Sequence, residues 1–304
     1  MDRLHLMSVF VAVGEEESFA AGARRLGMSP PAVTRAIAAL EARLGVKLLN
    51  RTTRFVRVTE AGQRYLDDAR RIMGEVDEAD EAAQGVNAVP RGQLTITAPV
   101  LFGKMYVMPV VVNFLQRHPD MEISALFLDR IVNMLEEGVD VGVRIGELPD
   151  SSMKAIRVGQ VQRVLCASPE YLAKHGVPQS PQDLAKHIII AANTVSPAVE
   201  WKFSSEGESS TVRIKPRLQT SSNDAAIEAA RLHFGITRLM SYQIAPLLES
   251  GELQTVMANY APPLPIHVIH REGRYASAKV RSFVDAAIAA LRAQKVLNYQ
   301  AKNH

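Results

Sequence analysis

Cysteine is almost missing from this chain: a single residue, Cys166, stands in the apolar run VQRVLCAS. An internal disulfide is therefore excluded, and a reducing compartment is expected. Long hydrophobic runs are missing too. No stretch reaches about 18 uninterrupted apolar residues, so no transmembrane helix is expected and no membrane partner. The opening MDRLHLMSVFVAVGEEES has neither a strong basic start nor a small-residue cleavage site, and no export signal is read in it. It reads instead as an amphipathic helix with Leu4, Met7, Phe10 and Val11 on one side. The groups that catalysis needs are equally sparse. The eight histidines are scattered, the patterns HExxH, CxxC, G-x-S-x-G and the P-loop do not occur, and Cys166 in an apolar strand reads as core. No catalytic residue, metal site or cofactor is expected.

What the chain does have is size and an uneven charge. Its 304 residues, 47% hydrophobic and 22% charged, suit a globular protein of two domains, or one small domain plus one of two lobes. The net charge of +3 hides a reversal of sign along the chain. Between Phe19 and Arg64 the cations are Arg24, Arg25, Arg35, Arg43, Lys47, Arg51, Arg54, Arg57 and Arg64, against Glu41 and Glu60 alone. The next segment carries Asp67, Asp68, Glu75, Asp77, Glu78, Asp80 and Glu81 against Arg70 and Arg71. A basic block of this kind points to a phosphate-rich or otherwise anionic partner, although a charge run alone also marks an ordinary solvated face.

The block has an internal order that a solvated face does not need. SFAAGARRLG reads as a short helix capped by Ser18 and ended by Gly27. A second helix follows, with Ser29 as N-cap and Pro30 as its first residue, where the missing N–H costs nothing. Val33, Ile37, Leu40 and Leu44 share one stripe of this helix, which is the buried face. The opposite row is Pro31, Arg35, Ala38, Ala39 and Ala42: nearly smooth, with one long cation. Two helices joined by a Gly-containing turn form a helix-turn-helix. The following VKLLNRTTRFVRVTEAG alternates in part and places Arg51, Thr52, Thr53 and Arg54 at a turn between two short strands, a wing with cations at its tip. Such a unit lays its second helix in the major groove of double-stranded DNA while the wing reaches backbone or minor groove. The candidate DNA contacts are Ser29, Pro30, Pro31, Thr34, Arg35, Arg51, Thr52, Thr53 and Arg54. The plain alternative is a small helical packing module.

From Thr59, the expected cap, a long helix begins. Tyr65, Ala69, Ile72, Val76, Ala79 and Ala83 follow one another at steps of four, three, four, three and four, the rhythm of a helix–helix seam. Over residues 60 to 85 the helix extends on the order of 40 Å. With no apolar stretch nearby to cover the seam, dimerisation is favoured over packing on the rest of the chain. Further on, QLTITA reads as a strand, LFGKMYVMPVVVNFLQRH as a helix, EISALFL as a strand, DRIVNMLEEG as a helix and VDVGVRI as a strand. Consecutive βαβ units imply a mostly parallel sheet. The pairs Ser168-Pro169 and Ser180-Pro181 start new helices, TSSNDAAIEAARLHFG is a capped helix and LPIHVIH a strand, with a last helix roughly over Ala276 to Ala293.

The run SFAAGARRLGMSPPAVTRAIAALEARLGVKLLNRTTRFVRVTEAG resembles the N-terminal winged helix-turn-helix of LysR-type transcriptional regulators, and DRIVNMLEEGVDVGVRIGELPDSS, RVLCASPEYLAKHG and GITRLMSYQIAPLLESGEL resemble the family's effector domain. The resemblance covers nearly the whole chain. Two departures stand out: Pro30 occupies a place where many members carry glutamine, so the base contact of that residue is absent, and His233 replaces a commonly small glycine before Phe234 and Gly235. The resemblance implies an α plus α/β protein: a winged helix-turn-helix over 1–58, a linker and dimerisation helix over 59–88, and a two-lobed, periplasmic-binding-protein-like (type 2) effector domain over 89–304. Lobe I would be 89–161 with 266–304, lobe II 162–265, and the crossings near Val161 and Pro265 the hinge. It also implies a cytoplasmic regulator, not an enzyme, that binds promoter DNA as a dimer of dimers and answers to a small-molecule effector.

Ligands of open α/β sheets sit beyond the carboxyl ends of strands, near helix N-termini that favour anions. That geometry selects Pro99, Val100, Phe102 and Gly103 after the first strand, Leu128 and Asp129 after the second, and Arg144, Gly146 and Glu147 after the third. From the second lobe it selects Asn193 and Thr194, and Thr220, Ser221 and Ser222. The resemblance puts the family's effector cleft at these same ends. Pro99, Val100 and Phe102 would supply an apolar wall, and a helix N-terminus with Arg144 favours a small anionic or polar metabolite. Plainer roles exist for each: Ser222 as a helix cap, Arg144 as the partner of a carboxylate. Two other classes share the scaffold. A solute-binding transport protein would need an export signal and no basic helix-turn-helix, and an enzyme would turn over the ligand it binds.

Overall fold

Phe10, Val33, Ile37 and Leu40 meet in a small core that three helices close around. These helices are α1 (Arg3–Glu16), α2 (Phe19–Arg25) and α3 (Pro30–Leu44). The computed structural model describes residues 2–51, 56–84, 89–148, 153–192, 200–205, 208–260, 262–271 and 277–298. The chain divides into two units, Met1–Ala88 and Val89–His304. In the first, α1 buries more than one stripe: Leu6, Val9 and Val13 are buried with Met7 and Phe10, while Leu4 and Val11 are only half-buried. Packing against more than one neighbouring helix explains this, since each neighbour needs its own face. The hydroxyl of Ser18 accepts the N–H of Ala21 at 3.2 Å and starts α2, and Gly27 turns the chain at a φ of 61°, open to glycine at no steric cost.

Two short antiparallel strands follow, β1 (Leu49–Arg51) and β2 (Val56–Val58), with Leu49 opposite Val58 and Arg51 opposite Val56. Then comes α4 (Glu60–Gln84). Thr59 caps it, accepting the N–H of Gly62 at 2.9 Å while donating to the carbonyl of Lys47 at 2.8 Å. The first turns of α4 pack on α1. Leu66 and Ala69 are buried, and the Tyr65 ring lies 5.6 Å from that of Phe10.

The second unit opens with β3 (Gly92–Ala98). The expected long helix follows without a gap, as α5 (Val100–Phe102), a π turn over Gly103–Val107 and α6 (Met108–Arg117). Pro109 lies at the start of α6, and its lack of an N–H and its ring are poorly compatible with an unbroken α ladder. Strands β4 (Met121–Phe127) and β5 (Val141–Ile145) both run parallel to β3. The expected helix over DRIVNMLEEG is replaced by turns. The Asn133 side chain accepts the N–H groups of Leu135 and Glu136 at 3.2 and 3.4 Å, and Arg130 grips Glu137 at 2.7 and 2.5 Å, so local side-chain bonds outcompete the helix ladder.

Next are β6 (Met153–Ala167), α7 (Pro169–His175), a 3₁₀ turn over Pro181–Lys186 and β7 (Ile189–Ala192). Both Ser-Pro pairs start helical turns, Ser168 accepting the N–H of Tyr171 and Ser180 forming a capping box with Asp183. A hairpin of β8 (Glu200–Ser205) and β9 (Glu208–Arg213) leads to β10 (Leu218–Thr220), α8 (Asn223–Arg231), β11 (Ile236–Met240) and α9 (Ser241–Glu249). The chain then passes through β12 (Gln254–Val256), β13 (Pro263–Arg271) and α10 (Ala278–Arg292). His233 sits just past α8 at a φ of 61°, the left-handed position that explains why glycine suits it, and its Nδ1 lies 2.8 Å from the Ser168 hydroxyl.

Among the described residues nine strands form one sheet, in the order β10-β7-β11-β6-β13-β5-β3-β4, with β12 also on β6. β6 belongs to both halves. As far as Gln162 it pairs with β13, and from Arg163 it pairs with β11. In one half Ile96, Val141 and Val268 of the sheet pack with Phe114 and Phe283 of α6 and α10. In the other the sheet is covered on two faces. Ile227 and Ala230 of α8 lie with Val164 and Cys166, and Phe203 of the hairpin lies with Leu165 and Ile236.

Candidate functional site

Helix α3 buries Val33, Ala36, Ile37 and Leu40 and leaves Pro31, Arg35, Ala38, Ala39 and Ala42 exposed. Ser29 is its N-cap residue and Pro30 its first, as expected. The Ser29 side chain makes no cap bond and, with Pro30 and Pro31, is exposed, while Thr34 is half-buried. Arg35 has no hydrogen bond or ion pair among the described residues, so its guanidinium stands free on a face of small side chains. Thr52, Thr53 and Arg54 lie outside the described residues, as does the side chain of Arg51; the strands that flank them form the expected antiparallel pair.

One residue that sequence reasoning passed over holds this surface together. Glu41 is on α3, 4% exposed, and its Oε1 accepts the N–H groups of Leu48 and Leu49 at 3.0 and 3.2 Å while Oε2 takes Lys47 Nζ at 2.6 Å. Burial opposes its charge, but the bonds from Lys47, Leu49 and Leu48 outweigh that and hold its pKa below the usual carboxylate value. The helix that faces outward is thereby tied to the first wing strand. The signal was present in the sequence: Glu41 follows Ile37 by four residues, a carboxylate on an apolar stripe.

In the second unit the ends of β3 and β4 converge on Asp129. Its Oδ1 accepts the N–H of Val100 at 3.0 Å, and its Oδ2 lies 3.5 Å from the amide nitrogen of Asn223, the first residue of α8. One carboxylate thus links the two halves of the sheet across the strand ends. Beside it is Tyr242 of α9, 1% exposed, its pKa pushed up by burial and by the charge of Asp129. The Tyr242 ring is 5.3 Å from Phe102 and 5.9 Å from Tyr106. Phe102 is wholly buried in this trio, and a side chain on Gly103 would fall on the Phe127 ring. Both residues therefore shape the floor, whereas Pro99 and Val100 are accessible. Neither Asn223 nor Tyr242 was picked out from the sequence, because their roles depend on which strand ends meet.

Arg144 Nη1 bonds the carbonyl of Val143 at 3.0 Å, and Nη2 is buried without a partner. Burial lowers its pKa, with the charge of Glu137 acting the other way. Glu137 is itself held by Arg130. Directly across the sheet is His267, whose Nδ1 is also buried and unpartnered. Leu128 is half-buried and Glu147 exposed, and Gly146 turns at a φ of 113°. On the other side Thr220 and Ser222 are locked together, the Thr220 hydroxyl donating to the Ser222 carbonyl at 2.7 Å. Ser222 Oγ caps α8 through the N–H of Ala225 at 3.2 Å, and Ser221 is exposed without such a role. Asn193 and Thr194 lie outside the described residues.

Among the described residues no group of side chains could hold a metal ion, and no helix is long and apolar enough to cross a membrane. Cys166 is buried, its thiol pushed up to about 12 by that burial, which disfavours the thiolate form. Against known proteins, a family model described as bacterial regulatory helix-turn-helix protein, lysR family, matches residues 4–63, and one described as LysR substrate binding domain matches residues 87–292. An HTH-type transcriptional repressor of Pseudomonas aeruginosa is 33% identical over 94% of this chain and 91% of its own length. An uncharacterized HTH-type transcriptional regulator of Haemophilus influenzae is 31% identical over 92% and 98%. Among solved structures, CrgA from Neisseria meningitidis, a LysR-type transcriptional regulator, is 30% identical, with a TM-score of 0.59 over 94% of this chain and 98% of that one.

Proposed function

The chain belongs to the LysR family of transcriptional regulators, with a DNA-binding helix-turn-helix and an effector-binding domain, and from that premise we propose how its own residues perform the two tasks. Residues 1–58 bind promoter DNA, 59–88 join two copies, and 89–304 bind the effector, with lobe I over 89–161 and 266–304 and lobe II over 162–265. The reading of DNA rests on one observation above all, the exposed row of α3 on which Arg35 stands without a partner among alanines. Small side chains let the helix seat deeply in the major groove, Arg35 reaches a base edge, and Thr34 adds a hydroxyl contact. Ser29, Pro30 and Pro31 abut the backbone at the helix tip, and the wing residues Arg51, Thr52, Thr53 and Arg54 hold phosphates. Two such units read an inverted repeat with half-sites about one helical turn apart.

The effector sits at the strand ends, between Val100 and Asp129 on one side and Ser221 and Asn223 on the other. Arg144, with a buried N–H lacking a partner, supports an anionic or polar metabolite. Assembly through α4 and doubling into a tetramer through the effector domains complete the regulator, working in the cytoplasm and not as an enzyme. Footprinting tests the DNA reading. Arg35→Ala should cost about 1–3 kcal/mol of binding and relax the preference at one position, whereas Arg54→Ala should weaken all sequences alike and reduce the salt slope. An Arg35→Ala footprint with unchanged site preference would refute the assignment.

A further inference from the structure

Two arginines share one side of the sheet beneath the β8–β9 hairpin. Arg163 of β6 lies opposite Met240 and Arg238 of β11 opposite Leu165, so both project from the same face. That face is the one covered by Phe203; α8 covers the other, where Val164 and Cys166 point. Arg238 is held over the Phe203 and Trp201 rings, 4.9 and 5.6 Å from their centroids, and its Nη2 donates to the carbonyl of Lys202 at 2.7 Å. Its Nε is buried and unpartnered. Among the described residues no carboxylate pairs with either arginine. Burial and then the charge of Arg163 bring Arg238 down to about 10, and burial lowers Arg163 as well.

Two cations brought together without an acid, one of them with an orphaned N–H, cost stability unless something else gains from the arrangement. Between them opens a pocket of about 240 Å³. Lys202, Ser204, Ser210 and Thr211 line it on the hairpin side, Ser210 on the same hairpin face as Phe203, and Pro262 and Leu264 form an apolar wall with Phe203. The Arg163 guanidinium and the remaining Nη1 of Arg238 suit the oxygens of an oxyanion, and the apolar wall suits a carbon body. The volume is below that of most drug-sized sites, which limits the body to a small one.

We propose that this pocket is a second ligand site, on the hairpin face and separate from the strand-end cleft, and that it takes a small carboxylate with a short apolar body. The chain carries its own reporter, because Trp201 beside Arg238 is its single tryptophan. Titrating the full-length protein with sodium benzoate should change Trp201 emission saturably, inorganic phosphate should act far more weakly, and sodium chloride at equal ionic strength should not reproduce the change. Arg163→Gln, which keeps a polar side chain, should weaken benzoate binding by about tenfold or more, as loss of a charge-assisted contact does. Ser210→Ala, a milder change on the hairpin face of Phe203, should weaken it a few-fold, so a poorly folding arginine variant would not leave the matter open. Ser221→Leu, in the strand-end cleft, should leave the response intact. A response no different from chloride, one unchanged in both pocket variants, one lost in Ser221→Leu, or one equalled by phosphate would each overturn the proposal.

Discussion

Glu41 shows how a single side chain can couple a recognition surface to pH. Its folded pKa lies below the ordinary value of 4.5, so the stabilisation it contributes is complete above that value and is lost as pH falls through the lowered folded one. Glu41→Gln keeps the shape but loses the charge that Lys47 Nζ and the Leu48 and Leu49 N–H groups address. Near neutral pH the variant should be less stable by about 1.5–3 kcal/mol, the range for hydrogen bonds to a charged group. Urea unfolding at neutral pH and again below the wild-type pKa should show the gap closing; a constant gap would mean that the charge is not what stabilises. At this scale the sequence was informative where a pattern repeats. Val33, Ile37 and Leu40 could be placed inside by spacing alone, and Ser18, Thr59, Ser168 and Ser222 all proved to be caps. It was silent where a role depends on a partner far along the chain, as Asp129 depends on Asn223.

At the scale of elements, α4 divides its seam between two tasks. Tyr65 and Ala69 already pack on α1 of their own unit, so a partner helix would meet the chain further along, at Ile72 and Val76, both half-buried. Ala79 and Ala83 continue that line, their side chains outside the described residues. Ile72→Glu combined with Val76→Glu should therefore leave the helix-turn-helix folded and abolish pairing through α4, since unpaired charges are not accommodated in a helix–helix core. Sedimentation should report a species smaller than wild type, no larger than the pair the effector domains hold, and a variant that sediments as wild type would remove α4 from the interface. The misread helix over DRIVNMLEEG belongs to this scale as well. Its apolar spacing fits a helix, but Asn133 and the Arg130–Glu137 pair bind the backbone and each other in a turn that periodicity does not register. The helix from Val100 to Arg117 does form, and only its π turn at Gly103–Val107 escaped the reading, since Pro109 signals a disturbed ladder without saying which turn will absorb it.

For the whole molecule, a ligand can regulate only by binding one arrangement of the assembly better than another, and on the proposed reading that arrangement is set by the two halves of the sheet. The Asp129–Asn223 contact is one place where they touch across the strand ends, beside the packing of Tyr242 on Phe102, so Asn223→Ala should alter that balance without reaching the DNA-binding residues. We expect effector affinity to change by about two- to tenfold, the equivalent of one hydrogen bond, and the ligand-dependent change in footprint to shrink while ligand-free DNA binding stays the same. An unaltered response would move the link between the halves elsewhere. The order of domains and the βα alternation were legible because each is written locally, in charge blocks and in strand-helix spacing. The order of strands was not, because it is decided by pairings across more than a hundred residues, as between β13 and β6. That order also governs how the protein must be made. β13 lies between β5 and β6, and residues 153–162 and 141–145 are synthesised long before residues 263–271 can fill the gap. A chain emerging from the ribosome therefore carries two open strand edges facing one missing neighbour through the making of the entire second half. Exposed edges of that kind invite pairing with other chains, so correct production of this regulator depends on keeping the nascent first half apart from its neighbours until the last strand arrives.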